Sequence, residues 1–347
     1  MRIFIATMAA FLAAVGVVAA PGVANACAGL IGSNGSVQLG TTTTLAGYDD
    51  GQEQYVTSFE FQGGGGQFGA LIPLPGIPSN IERGGDWTLQ RLERETTPVR
   101  FEAASFDTAL AGSPRAEVIQ EVTIDALDLT VLKGGGADVA AWAQEHNFSL
   151  SADAPEVLDF YAQRSPIFMA AVFDGDAAAA RGQQLGDGTP VHLTIPTDNP
   201  WVPLRILGLG KLPSDIVTAD VFLLTDQKPA LLPLGKPGLD VSYNQTASNE
   251  LLTDLRTDKG GSWVPEEAWL TKLQINSTVS DLNYDLAVDT SSAKSPSRVA
   301  AGLELVSAVT PSTPTGGSTL AWYWAAALGA AIGAVVLGGW RPWGGRR

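Results

Sequence analysis

A chain of 347 residues with 36 acidic and 21 basic side chains carries a formal net charge of −15, a field that repels phosphate backbones and excludes nucleic acid as a partner. A single cysteine excludes an intrachain disulfide framework, so the fold has to be held by an apolar core, which a chain of this length supplies.

The first 26 residues, MRIFIATMAAFLAAVGVVAAPGVANA, set Arg2 ahead of an uncharged apolar run, then Pro21 and the small residues Ala24 and Ala26 around Asn25. This is the pattern of a secretory signal, residues 1–26, with an A-x-A cleavage site, so the mature chain is expected to begin at Cys27. Three readings of Cys27 stand: an unmodified thiol, which leads because Ala24 occupies the place where lipidation wants a Leu-type residue; a lipid-modified thiol; and an N-terminal nucleophile whose own amine is the base.

The mature body, residues 27–290, reads as a strand-rich α+β domain with three to four helices. The alternation of QYVTSFEFQ predicts a half-buried strand over 54–62, turned by Gly63 to Gly66 into a partner strand over 67–74. The text that follows, ALIPLPGIPSN, is too rich in proline for a central strand, so residues 73–78 are expected on an edge or outside the sheet. Asp86 is a good N-cap for a helix over 87–95. A strand pair is predicted over 116–133, closed by Gly134 to Gly136. Helices follow over 138–146, capped by Asp138, and from Asp153, where Glu156 completes a capping-box pattern. Strands are predicted over 166–173, 191–195, 202–209 and 216–225, a short helix over 265–272 and a last strand pair over 273–288.

Beyond Asp289 the composition turns to Ser, Thr, Pro and Ala, and residues 291–319 read as a stalk. Residues 320–340 are 21 in number without one charge, enough to cross ~30 Å of hydrocarbon as a helix. Trp322, Trp324 and Trp340 mark its interfaces, and Arg341, Arg346 and Arg347 in the 341–347 tail should stay cytoplasmic. The expected localisation is therefore the cell membrane, crossed once, with the body extracytoplasmic and the C-terminus inside. Between the two apolar ends, 17 basic residues face all 36 acidic ones, a net charge of −19. Gly329 and Gly333, four apart in the span, could make a weak homodimer face. Residues 316–317 and the basic tail also resemble a processed sorting tail, but no LPxTG pentapeptide is present.

Three blocks, FGALIPLPGIPSNIERGGDWTLQRLERETTP, LTVLKGGGADVAAWAQEHNFSLSADAPEVLDFYAQRSPIFMAAVF and PVHLTIPTDNPWVPLRILGLG, in that order resemble the bacterial family called domain of unknown function 2330. Cys27-Ala28-Gly29 is similar to the Cys-Gly-Gly element at the mature start of that family, with Ala28 in place of the first glycine. The resemblance runs over most of residues 27–250. It implies an exported, often membrane-anchored envelope domain of mixed α and β structure, and it brings no activity with it. Relatives carry a second cysteine near the position of Gly32, which this chain lacks.

Chemistry-bearing motifs are sparse. His146 near a helix end and His192 in PVHLTIP are, with Cys27, the candidate catalytic residues, and their separation makes no zinc site. Acidic pairs such as Asp49 and Asp50 lack the ligand spacing of a calcium loop, so no metal or cofactor is expected. No G-x-S-x-G, Walker, H-E-x-x-H or S-x-x-K element occurs. Trp87, Trp142, Trp201, Trp263 and Trp269 are expected in the core rather than as a stacking platform. The reading is a non-catalytic binding or scaffold domain of the bacterial cell envelope, with an envelope protein or glycan as ligand. The alternative is an envelope hydrolase using Cys27 or a carboxylate pair.

Overall fold

The computed structural model describes residues 29–32, 42–59, 68–96, 117–174 and 188–304. The signal segment, Cys27, the stalk beyond 304, the 320–340 span and the Gly329/Gly333 face lie outside the described residues. Among those described, no helix is long and apolar enough to cross a membrane.

The chain runs through β1 (Gly29–Gly32), β2 (Thr42–Asp49), β3 (Gln52–Phe59), β4 (Phe68–Leu74), β5 (Asn80–Arg83) and helix α1 (Thr88–Thr96). Then come β6 (Glu117–Ile124), β7 (Leu127–Lys133), α2 (Gly136–Glu145), α3 (Ala154–Ala162), β8 (Ile167–Phe173), β9 (Thr189–Pro196) and β10 (Trp201–Val202). The remainder is β11 (Ile216–Thr225), β12 (Ala230–Leu232), β13 (Leu239–Thr246), α4 (Asn249–Thr257), β14 (Trp269–Thr278) and β15 (Leu286–Asp289).

These strands form a five-stranded sheet ordered β1-β4-β8-β7-β6, a seven-stranded sheet ordered β13-β14-β11-β2-β3-β9-β5 and a small sheet ordered β10-β15-β12. The period-2 alternation of each strand decides which layer it faces. In β3, Tyr55 points into the core between the two large sheets with Ile72, Leu129 and Met169 of the five-stranded sheet, while Val56 points outward. Helices α2 and α3 cover the outer face of the five-stranded sheet with Val139, Trp142, Leu158 and Tyr161. Helices α1 and α4 cover the outer face of the seven-stranded sheet with Leu92, Leu251, Leu252 and Leu255. The result is a four-layer α/β/β/α body, strand-rich α+β, with four helices among the described residues against the three to four expected.

Five local expectations are corrected. Segments 54–62 and 67–74 are not hairpin partners: β3 pairs with β2 and β9, and β4 pairs with β1 and β8 in the other sheet. The proline-rich exit is the crossover between the sheets. Pro73 still sits opposite Phe168, and among the described residues β1 pairs with β4 only as far as Leu71, short of the proline that has no N–H to give. Of the strand expected over 202–209 only Trp201–Val202 is extended, because Arg205–Gly208 winds into a 3-10 turn. The short helix expected over 265–272 is instead the entry to β14, a strand hydrogen-bonded on both sides by β11 and β13. The supposed pair over 273–288 is likewise split, β14 staying in the large sheet and β15 joining β10 and β12. Residues 291–304, which composition assigned to the stalk, end inside the body, with Ala300 and Ala301 buried in the core beneath α3.

Candidate functional site

His192 on β9 is 4% exposed and lies on the outer face of the seven-stranded sheet. Its cross-strand neighbours supply its partners: Nδ1 is 3.1 Å from Glu82 Oε1 on β5, and Nε2 is 2.8 Å from Gln54 Oε1 on β3, which also accepts from Thr194 Oγ1 at 3.0 Å. Trp263 stands 5.8 Å away, ring to ring, and Gly84, Gly85, Gly260 and Gly261 complete the wall. The cavity between them holds about 10 Å³, room for about one water.

The wall is built by Asp258, which accepts from the backbone N–H of Asp86 at 3.2 Å and of Trp87 at 3.1 Å and from Thr88 Oγ1 at 2.8 Å. It thus caps α1 from 170 residues away, a task sequence reading gave to Asp86. The chemistry available to His192 is limited by its neighbours. Both ring nitrogens face oxygen acceptors, and a neutral imidazole can donate to only one of them. Burial holds its pKa below the ordinary histidine value, while the Glu82 carboxylate pulls the other way. A general base needs a nitrogen aimed at the proton it removes, and neither nitrogen here is free.

His146 does not join this site. His146 caps the end of α2 on the opposite side of the sandwich, with Nδ1 2.9 Å from Trp142 O and its ring stacked on Trp142 at 3.7 Å. Burial holds its pKa low as well. Cys27 lies outside the described residues.

Two carboxylate clusters are likewise committed to the architecture. Glu93 on α1 and Asp220 on β11 share the ammonium of Lys272, at 2.7 and 3.2 Å, and Lys272 is only 3% exposed in its side chain. Burial pushes the Glu93 carboxyl up, against the pull of Lys272. Arg91 joins α1 to α4 through Asp254 at 2.7 Å and pairs within α1 with Glu95 at 2.8 Å. Among the described residues no group of three or more His, Cys, Asp or Glu is placed to hold a metal ion.

An open groove was not legible in the sequence. Trp142 and Trp201 are buried as expected, but Trp269 is half exposed at the mouth of a depression of about 590 Å³ lined also by Asp226, Gln227, Lys228, Pro229 and Lys294. The Trp269 indole N–H donates to Asn244 Oδ1 at 2.6 Å, which fixes the ring, and Lys228 Nζ stands 5.9 Å from the ring centroid. Lys294 Nζ donates to Lys228 O at 2.6 Å, tying a distant loop to the rim. The alternation of WLTKLQI would have marked Trp269 as a strand residue, but no spacing in the sequence brings 226–230, 269 and 294 together.

Among solved structures, a mutated baculovirus P35 after caspase cleavage, at 3.1 Å resolution, is 8% identical, covers 74% of this chain and 99% of its own, and has a TM-score of 0.38. A chain of the caspase-8/P35 complex is 11% identical over 72% of this chain and 96% of its own, with a TM-score of 0.37. The crystal structure of baculovirus P35 is 11% identical over the same shares, with a TM-score of 0.38. Scores this low establish neither a common fold nor a common function. No curated protein matches the sequence. The family resemblance carried by the three sequence blocks does hold: residues 21–229 match, and the chain belongs to DUF2330, the family described as uncharacterized protein conserved in bacteria.

Proposed function

We propose that the protein is a non-catalytic binding domain displayed on the outer side of a bacterial membrane by its apolar segment 320–340, and that the groove at Trp269 receives an envelope glycan. The observation that carries the reading is the contrast between this groove and the rest of the polar inventory. His146, His192, Asp285, Glu93 and Lys272 are bonded into the fold, whereas the Trp269 groove is open and of ligand size. A fixed indole can stack on the C–H face of a sugar, and the Asp226, Gln227 and lysine side chains at the rim suit hydroxyl and carboxylate groups. The signal-like residues 1–26 and the arginines after 340 support the outward orientation.

The test is cosedimentation of the detergent-solubilised full-length protein with purified peptidoglycan sacculi, with release of soluble sugar or peptide followed in the same tubes. The expected result is salt-resistant pelleting without release, reduced at least tenfold in Trp269→Ala with unchanged thermal unfolding. Release of fragments, or equal pelleting of the variant, defeats the reading. Protease accessibility of the body on intact spheroplasts checks the orientation separately.

A further inference from the structure

Glu53 is a buried acid that the binding reading does not use. It lies on β3 beside the β2–β3 turn, opposite Tyr48 on one side and Ile195 on the other, and it points into the core between the sheets as Tyr55 does. It is 1% exposed, and among the described residues neither carboxyl oxygen makes a well-formed hydrogen bond, the Trp201 backbone N–H approaching it only loosely. A native fold rarely leaves such a group unpaired, and an ionised carboxylate there would be bare charge in an apolar medium. Burial accordingly pushes this carboxyl up to about 8, with the Trp201 backbone N–H opposing.

Among the described residues no cation is paired with Glu53. Tyr48 on β2 is raised by burial and by the charges of Asp198, Glu53 and Asp289, so it stays neutral where Glu53 titrates. Asp198 follows β9. Asp289 on β15 is held low, against its own slight burial, by hydrogen bonds from Ser291 and Ser295 and by the charge of Lys294, which offsets part of its field. The local field is therefore negative, and a second charge at Glu53 adds to it.

The position is a junction. Thr197 N donates to Gly51 O at 2.9 Å and Tyr48 Oη donates to Thr197 O at 3.0 Å, which dock the segment after β9 onto the β2–β3 turn. That segment leads to Trp201–Val202 in β10, whose partner is β15. Glu53 thus sits where the seven-stranded sheet hands the chain to the small sheet.

We propose that Glu53 is a proton-operated latch: protonated, it keeps residues 197–202 docked on the β2–β3 turn, and loss of its proton admits water there and loosens β10 and β15 from the large sheet. The latch makes the exported body tight in neutral or acidic surroundings and locally open in alkaline ones.

Hydrogen exchange on the full-length protein in detergent micelles tests this, with rates corrected for the intrinsic pH dependence of exchange. Peptides spanning 197–203 and 286–289 are expected to lose at least tenfold in protection from about pH 7 to about pH 9, while α1 and α4 change little. Glu53→Gln should abolish the loss. A flat wild-type profile, or the same loss in the variant, overturns the proposal. Should Glu53→Gln fail to fold, the wild-type infrared spectrum decides: a buried protonated carboxylic acid band must persist at neutral pH and vanish near pH 8, and its absence at neutral pH overturns the latch.

Discussion

Arg164 and Asp285, 121 residues apart in sequence, meet with Nη2 2.5 Å from Oδ2, their side chains 4% and 0% exposed. Both side chains are bonded further. Arg164 donates also to Ala300 O at 2.6 Å and lies against the rings of Phe160, Tyr161 and Trp201 at 4.3 to 4.9 Å. Asp285 Oδ1 accepts from Tyr161 Oη at 2.8 Å and from the backbone N–H groups of Leu204 and Arg205 at 2.7 and 3.0 Å. The pair thereby seats α3, the 3-10 turn after β10 and the segment near 300 on one carboxylate. Removing one member leaves the other charge buried and unpaired, so Asp285→Ala should cost about 3–5 kcal/mol in urea unfolding. Replacing both, Arg164→Met with Asp285→Leu, should recover most of that loss. A single alanine costing under about 1 kcal/mol would show that the pair is not holding the three segments together.

Gly85 and Asp258 give a second prediction, argued from space rather than charge. A Cβ at Gly85 would lie 2.1 Å from Asp258 Oδ2 and 2.5 Å from Thr88 Oγ1. Gly85→Ala must therefore displace the carboxylate that caps α1, with a cost of about 2 kcal/mol or more. Gly135, which precedes α2, is the control: its nearest neighbour would be Asp138 Oδ2 at an ordinary 3.5 Å, and its φ of −74° suits any residue. Gly135→Ala should change stability by less than about 0.5 kcal/mol. Equal effects of the two substitutions would refute the steric account.

These sites mark where sequence reading succeeds and where it stops. The β11 strand and the β6–β7 hairpin were legible because each alternates over its own length and pairs locally or is bounded by turns. Tyr161, Val157 and Leu158 were legible as the buried side of α3 for the same reason. What alternation does not encode is the partner: β3 finds its neighbours at 42–49 and 189–196, not in the adjacent segment. In 265–272 the Pro-Glu-Glu text reads as a helix start, and ten-residue pairing with β11 overrides it. Helix α4 was missed although Ser248 caps it, accepting from Leu251 N at 3.2 Å, because its apolar stripe is only Leu251, Leu252 and Leu255. The Trp269 groove was illegible for a deeper reason, since its rim comes from three separate stretches of chain.

Lys272 offers a third prediction, in which two acids compete for one ammonium. With Nζ 2.7 Å from Glu93 and 3.2 Å from Asp220, its charge is what allows both carboxylates to approach. Lys272→Met should destabilise by about 2–4 kcal/mol at neutral pH. The deficit should shrink on acidification, because the Glu93 carboxyl, already raised by burial, then takes a proton more readily still. Unfolding midpoints at about pH 7 and about pH 4 give the comparison, and a deficit that does not depend on pH would mean that lost packing rather than charge sets the cost.

His192 supplies the fourth prediction, with its sign fixed by burial. Its pKa in the folded protein is depressed below the ordinary histidine value of about 6.5, burial outweighing the upward pull of Glu82. The unfolded chain therefore binds the proton more readily. Stability from this residue is present above about pH 6.5 and is lost as pH falls through that value and on through the lower folded one. The loss approaches about 1.4 kcal/mol for each pH unit within the window. His192→Gln should flatten the acid side of the stability profile relative to wild type, and the difference between the two removes the contribution of His146, whose shift has the same sign. Glu82→Gln should act oppositely: without the carboxylate 3.1 Å from Nδ1 the folded imidazole becomes harder to protonate, so the loss on acidification extends further. Urea midpoints measured from about pH 8 down to about pH 5 decide it, and parallel profiles for wild type and His192→Gln would mean that the ring takes its proton inside the fold at no cost.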